Sequence, residues 1–587
     1  MADSPLKDAD GTLSVTIKTN DKAISDELQI ARVQVDAGVG RIPEAQVVLM
    51  AGSIAENEFP EADGSDFKIG SEISIAAAYG SGSDQTLFKG VILSKRLRVI
   101  RGAPRLELGC IDKAAKLTYT RKSALYEKKK DSDVMGQIIK DAGLTADVAK
   151  TKDTARDILR HACTDWGYLR SVADRSGHVI TVSDGKVTSK APDVSAQPVL
   201  TVTLGMDLIS FDARVDAQGT LDGARATSWD AATQKPVEGK GAAAKAPDWG
   251  NYTPANLAKV LGQREHLVGT ACEIPTADLK TGADARGLRS ALATIQGQCT
   301  FQGAGVAVPG AMIELEGLGD RFSGKAFVSG VRQLIDAGAW TTEAQLGLPD
   351  SWNVDATGFE GESAAGLAPP IHGLQVGKVV QIDKDPAKKL RFKISLPMIA
   401  DPAPQVWARY AQPYASNKAG IEFYPEKDDE VLVGFLSADP NAPVILASLH
   451  NAKQPRPDDP EAKNFIKQIV TASELKLVFD DDKKIITIST PGGHSVTMDD
   501  DAKNVKIKDS TGNEIEMASG GITMKSPKDI TLSATGAVNI SANTDVSISG
   551  MNVTAEADVG FTAKGNASAE VSASGTTTIK GAMVMIN

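Results

Sequence analysis

Apolar and polar positions alternate with a period of two along much of this chain. Leu13-Ser14-Val15-Thr16-Ile17, Ile73-Ser74-Ile75 and Leu106-Glu107-Leu108 read as strands with one buried and one wet face. A helical island interrupts them. Asp133 is placed to cap Val134 to Lys140, and Gly143 sits where that helix would stop. A second helix is expected from about Thr154 through Ser176, where Ile158, Leu159, Ala162, Trp166, Leu169 and Val172 recur at helical spacing before Gly177. Strand alternation resumes at His178-Val179-Ile180-Thr181-Val182. Residues 235–250, rich in Ala, Gly and Lys, predict an exposed loop, and a boundary lies near Thr357 to Pro370. From Gly373 to about Asn451 runs a compact all-β segment, followed by the polar, Pro-rich linker Gln454 to Pro460.

The last section repeats. Asp529-Ile530-Thr531-Leu532-Ser533-Ala534, Ala537-Val538-Asn539-Ile540-Ser541-Ala542 and Asp545-Val546-Ser547-Ile548-Ser549-Gly550 place apolar residues eight apart, at 530/532, 538/540 and 546/548. Near Gly550-Met551 the apolar parity switches from even to odd, which a bulge would absorb. Val553, Val559, Phe561, Val571, Ile579, Met583 and Met585 then occupy odd positions. An eight-residue period with this composition predicts a stacked β-helix and argues against a disordered Ser/Thr/Ala/Gly tract. Its side chains are too small and too few per octad to enclose a core in one copy, and its strand edges would stay unpaired. Three copies around an axis resolve both problems. The expected needle core is Ile530, Leu532, Val538, Ile540, Val546, Ile548, Val553, Val559, Phe561, Val571 and Ile579.

Composition narrows the class. The chain has 587 residues, more than one core organises, with 64 basic and 75 acidic residues and a net charge of −11. That field repels phosphate backbones, so no nucleic-acid partner is expected. The N-terminus Met1-Ala2-Asp3-Ser4-Pro5 has no basic, apolar secretion signal, and no apolar run approaches a membrane span. Synthesis in the cytoplasm without a signal peptide is the expectation. Cys110, Cys163, Cys272 and Cys299 form no CxxC pair and read as buried free thiols.

Three phrases bear a resemblance. The first is Val376-Gly377-Lys378-Val379, then Val406-Trp407-Ala408-Arg409-Tyr410-Ala411-Gln412-Pro413, Gly420-Ile421-Glu422-Phe423-Tyr424-Pro425, Asp429 to Phe435 and Asp439 to Asn451. It resembles the OB-fold of VgrG-type spike proteins of contractile injection systems, which are similar to fused phage tail-hub and needle proteins. Lys427-Asp428-Asp429 departs from the family's usual Gly-Asp turn. The second is Asp165-Trp166-Gly167-Tyr168-Leu169-Arg170 through Gly177, similar to a hub helix of that family. The third is Thr490-Pro491-Gly492-Gly493-His494-Ser495, which looks like the needle's base. Phe67-Lys68-Ile69-Gly70 and Thr86 to Val91 resemble the free-standing injection particles and related Vgr proteins more than type VI secretion-like spikes.

The resemblance implies a mainly β chain. A hub of β-barrel-like domains would span 1–365 with a helical insertion at about 131–177. An OB-fold collar would span 371–452, a linker 453–470, and an intertwined triple-stranded β-helix needle 471–587. It also implies a homotrimer whose hub presents a pseudo-sixfold surface to a hexameric tube protein, with baseplate and hub proteins, a PAAR-type tip protein and effector cargo as further partners. Roughly thirteen octads after Ile485, at about 4.8 Å per layer, would give a needle on the order of 60 Å. The chain's end, Met583, Val584, Met585, Ile586 and Asn587, would leave a blunt apolar apex for the tip protein. The target membrane would be met only on firing, when the spike is released or translocated as part of an injection particle.

Candidate chemistry is sparse. His161 and Cys163 would lie two residues apart on a helix and face apart. His450 and His494 read as turn residues, and since no histidine follows His494 an HxH iron site at the apex is not expected. Asp480-Asp481-Asp482 and Asp499-Asp500-Asp501 lack the Gly and Glu of a calcium loop and read as solvated turns. No catalytic residue, cofactor or metal is expected. The function implied is a non-enzymatic spike that caps an inner tube at the baseplate and pierces an envelope on sheath contraction. The alternatives are a phage tail hub and needle with envelope-degrading hydrolase activity, and an adhesin or tail fibre, which would need a receptor-binding tip.

Overall fold

The computed structural model describes residues 3–7, 11–80, 82–230, 233–242, 244–262, 265–270, 274–355 and 370–586. The chain divides into two compact units, Met1–Leu449 and His450–Asn587.

In the first unit the period-two segments assemble into one thirteen-stranded sheet. Leu13–Thr19 pairs antiparallel with Glu72–Tyr79 from Leu13↔Tyr79 to Thr19↔Ile73. The sheet continues through Gln85–Ile100, Ala103–Ile111, Glu44–Met50 and Ile30–Gly38. Gly324–Asp336, thirteen residues long, then joins this half to Ala339–Leu346, Ile295–Gln302 and Leu208–Val215. Two separate cores lie along this single sheet. Val47, Leu49, Ile75, Ile92, Leu106, Leu108 and Trp340 fill one, and Phe301, Ile313, Leu315, Ala326 and Val328 fill the other. Each is lined by every second residue of its strands, as the pleat requires. Cys110, Cys163 and Cys299 are buried free thiols, and burial pushes the thiols of Cys110 and Cys299 up to about 12. Cys272 lies outside the described residues.

The insertion differs from the expected helical stretch. Arg156–Thr164 is a strand paired with Arg121–Lys129, and the helix occupies only Asp165–Arg175. Ile158 is buried while Leu159 is 77% exposed, which is the alternation of a strand and not the expected 3.6 period. A register shift between Arg160 and Cys163, with Ala162 at φ 41°, produces the helix-like spacing. His161 is therefore on a bulged strand, exposed, with Cys163 buried. Thr164 ends the strand and starts the helix: its hydroxyl accepts the Gly167 N–H at 3.0 Å. Asp131, at the start of the helix Asp131–Asp141, is buried and accepts hydrogen bonds from Arg156 and Arg175.

Two other elements depart from expectation. Residues 235–250 open with a strand, Lys235–Lys240, in a sheet with Gly223–Asp230 and Glu265–Thr270. An unanticipated helix, Thr276–Ala293, packs on it, with Leu279 close against Gly239. A Cβ at Gly239 would meet the Lys280 nitrogen at 2.3 Å, so only glycine permits that approach. The boundary expected at 357–370 lies outside the described residues except for Pro370.

Gln375–Gln381, Arg391–Ser395, Gln405–Tyr410, Glu430–Phe435 and Pro443–Leu449 close into a five-stranded barrel around Val379, Phe392, Ile394, Ala408, Val431, Val433 and Ile445. Asp385 organises one loop by accepting hydrogen bonds from Arg391 and from the Ala387 and Lys389 amides, which hold its carboxyl well below the usual range.

In the second unit, residues 466–525 form a seven-stranded antiparallel meander of five-residue strands, Ile466–Val470 to Gly521–Lys525. The octads do not begin at Ile485 as expected. They begin after this meander.

Candidate assembly surface

The meander is amphipathic to an unusual degree. Its register sets Ile469, Leu477, Ile488, Val496, Ile507, Ile515 and Met524 directly across from one another on successive strands. A parallel row two residues along runs Lys467, Phe479, Ile486, Met498, Val505, Met517 and Ile522. Side chains two apart share a face, so one face is apolar apart from Lys467. The opposite face carries Gln468, Val478, Thr487, Thr497, Lys506, Glu516 and Thr523, polar except for Val478, with Lys506 Nζ 3.4 Å from both Glu514 and Glu516. Among the described residues nothing covers the apolar face: Ile488 is 49% exposed and Ile522 71%.

Beyond the meander the chain turns regularly. Bends fall at 527–528, 535–536, 543–544, 551, 558–559, 566–567, 574–575 and 582–583. Their last residues are spaced by eight, except for one seven-residue step from 544 to 551. That short unit, and not a bulge, accounts for the switch of parity near Gly550. Ile530, Leu532, Val538, Ile540, Val546, Ile548, Val553, Phe561, Val571 and Ile579 all lie two or four residues after a bend's last residue. Exposure repeats with the same period: Ile530, Val538 and Val546 are 54%, 56% and 53% exposed, and Leu532, Ile540 and Ile548 are 69%, 69% and 71%.

Val559 does not belong to this set. It is itself the last residue of a bend and is fully exposed, in the same position as Met551, because odd numbering alone does not give the phase. Met583 also sits in a bend, Met585 takes the needle phase, and Val584 and Ile586 alternate with it. Asn587 lies outside the described residues. Among the described residues from 526 to 586 there is no strand ladder and no backbone–backbone hydrogen bond. Extended backbone of this kind offers unpaired N–H and C=O groups along its whole length.

The acidic runs are turn formers. The Asp480 carboxylate accepts the Asp482 and Lys483 amides, Asp499 accepts Ala502 N at 2.8 Å, and Asp481 and Asp501 pair with Lys467 and Lys484. His494 closes a turn through its carbonyl, which accepts Thr490 N at 3.0 Å, and His450 Nδ1 lies 3.3 Å from the Gln454 carbonyl.

Comparison with known proteins agrees with this division. Residues 9–337 match a family model described as the Alg8 N-terminal domain. Residues 375–450 match the type VI secretion system/phage-baseplate injector OB domain, and 485–554 match the phage baseplate V C-terminal trimerisation domain. The chain belongs to the Alg8 N-terminal domain family, and its OB and trimerisation segments are of the phage baseplate V, VgrG-like type. Similar solved structures include a tail protein from Neisseria meningitidis, at 15% identity over 59% of this chain and 99% of that one, with a TM-score of 0.42. An Escherichia coli component of the type VI secretion system is 12% identical over 74% of this chain and 99% of its own, with a TM-score of 0.38. The Francisella PdpA–VgrG complex is matched at 10% identity over 87% of this chain and 80% of that one, with a TM-score of 0.37. No curated protein matches the chain.

Proposed function

We propose that three copies of this chain form the spike of a contractile injection apparatus, capping the inner tube at the baseplate and piercing a target envelope when the sheath contracts. The observation that carries this reading is the uncovered C-terminal unit. One chain presents an apolar sheet face and then some sixty residues of extended backbone with no internal ladder. Each Val or Ile fully buried on assembly contributes roughly 1.5–3 kcal/mol. Threefold closure lets each apolar stripe meet two others and leaves no open edge. The match of 485–554 to a trimerisation domain supports the same stoichiometry. With eight units after the meander, at about 4.8 Å per layer, the β-helical part would be about 40 Å long, shorter than the sixty expected when octads were counted from Ile485.

In this reading the spike is made in the cytoplasm and leaves it with the apparatus, as part of an injection particle. The hub meets a hexameric tube ring and baseplate proteins, and the apolar end from Met583 to Ile586 seats a PAAR-type tip protein. Effector cargo would ride with the spike. The protein acts by stiffness and symmetry, with the work supplied by the sheath. Multi-angle light scattering on the purified chain tests the assembly: a particle of three chain masses is expected, and an ordered monomer refutes it. Truncation after Ala582 should leave the trimer intact and abolish capture of the tip protein. Turnover of purified cell wall by the same preparation would favour instead a tail hub that degrades envelopes.

A further inference from the structure

The hub contains a cavity of about 550 Å³ beside the helix Asp165–Arg175. Its charged lining is Arg41, Arg170, Arg289 and Asp174, three guanidiniums against one carboxylate, a local balance of +2 in a chain of net charge −11. His178 also faces it, and burial lowers its pKa, so it adds no charge near neutrality. Asp350 and Arg286 act on Arg289 from outside the lining with opposite signs.

Two of the four charges are already committed to each other. Arg289 hydrogen-bonds Asp174, whose other carboxylate oxygen accepts the Asn353 amide at 2.7 Å. Arg41, the more exposed cation, donates to the neutral Gln345 Oε1 at 3.1 Å. Arg170 is different. Among the described residues it has no ion pair within 4 Å and no side-chain hydrogen bond; it is half-buried, and the carboxylate that acts on it, Asp174, is the one Arg289 already holds. The backbone is shaped around it: Gly40 adopts φ +67°, and a Cβ there would lie 3.2 Å from Arg170 Nε. Partly desolvated guanidiniums that share a single carboxylate leave positive charge uncompensated, a demand that an anion in the cavity would meet. The cavity has the size of a small-molecule site, and guanidiniums recognise carboxylates and phosphates alike through paired N–H donors.

We propose that this cavity binds a small polyanion, a phosphate ester or a di- or tricarboxylate, with Arg170 as its anchor and Arg41 as a second contact. Nothing in the spike function requires this site.

Isothermal titration of the full-length protein with inorganic pyrophosphate, and separately with citrate, tests the proposal against sodium chloride at equal ionic strength. The expected result is one saturable site per chain for at least one anion, and the two arms tell phosphate from carboxylate preference. Arg170→Gln should weaken that binding by about tenfold or more, the loss of a charge-assisted hydrogen bond. The same variant without anion should melt no lower than the parent, since a merely structural arginine would lower it. Arg41→Gln, at a more exposed position, should also weaken binding and carries the test if Arg170→Gln does not fold. Absence of saturable binding above chloride, or affinity unchanged in the variant that folds, would overturn the assignment.

Discussion

The bend phase separates two apolar residues that composition treats alike. Ile540 lies four residues after a bend and Val559 is a bend residue, yet both are largely exposed in one chain, at 69% and 102%. If three copies close into a prism, Ile540 passes into its core while Val559 stays outside. Truncating a buried Ile to Ala costs about 2–5 kcal/mol per site. Threefold symmetry repeats the deletion, giving roughly 6–15 kcal/mol per trimer, with the spread widened because the three sites touch one another. Val559→Ala, at a solvated position, should stay within about 0.5 kcal/mol per copy. Guanidinium unfolding followed by circular dichroism, with light scattering to follow dissociation, measures both. The expected outcome is an early loss of the trimer for Ile540→Ala alone. Equal behaviour of the two variants would refute the phase assignment and the prism with it.

Further outcomes are expected in the hub and meander. Gly239→Val drives a side chain into the Lys280 backbone and Leu279, and should destabilise the first unit by about 1–3 kcal/mol, read from its thermal unfolding. Burial lowers the His178 pKa below its ordinary 6.5, so the unfolded chain binds the proton more readily. Its contribution is intact above pH 6.5 and lost as the pH falls toward the lowered folded value. His178→Gln should flatten that acid slope in melting temperature. Ile488→Asp, in the middle of the meander's apolar row, should give a soluble chain that no longer trimerises, detected by scattering.

How much of this was legible beforehand depended on how local the signal is. The octads could be read because each repeats its own alternation within eight residues, and the barrel from 375 to 449 because its strands carry distinctive phrases. Arg156–Thr164 was misread because one bulge at 160–163 shifts a period-two pattern into the spacing of a helix. Its pairing with Arg121–Lys129, some thirty residues away, decides the matter. Thr276–Ala293 does not show in the sequence because half of its buried residues are alanine, which marks only a weak hydrophobic period. The meander's apolar rows escaped notice because they exist only across strands: Ile488 and Ile507 become neighbours of Val496 through register, not through sequence spacing. Arg170 is visible as part of a helix phrase, but the cavity it faces beside Arg41 and Arg289 is built from Gly40 and strands distant in sequence.

The single seven-residue step from 544 to 551 has a consequence for how identical chains find one another. A perfectly uniform repeat can slide by one unit and lose only the overhang, so nothing would stop three strands from annealing out of step. One short unit acts as a notch in a ratchet, because a slipped copy would set its shortened unit against a full one and throw every later stripe onto the wrong side. Restoring the missing residue beside Gly550 should therefore yield staggered trimers with ragged ends, distinguishable by cross-linking between engineered cysteines at matching heights. The irregularity is what makes the regular part assemble flush.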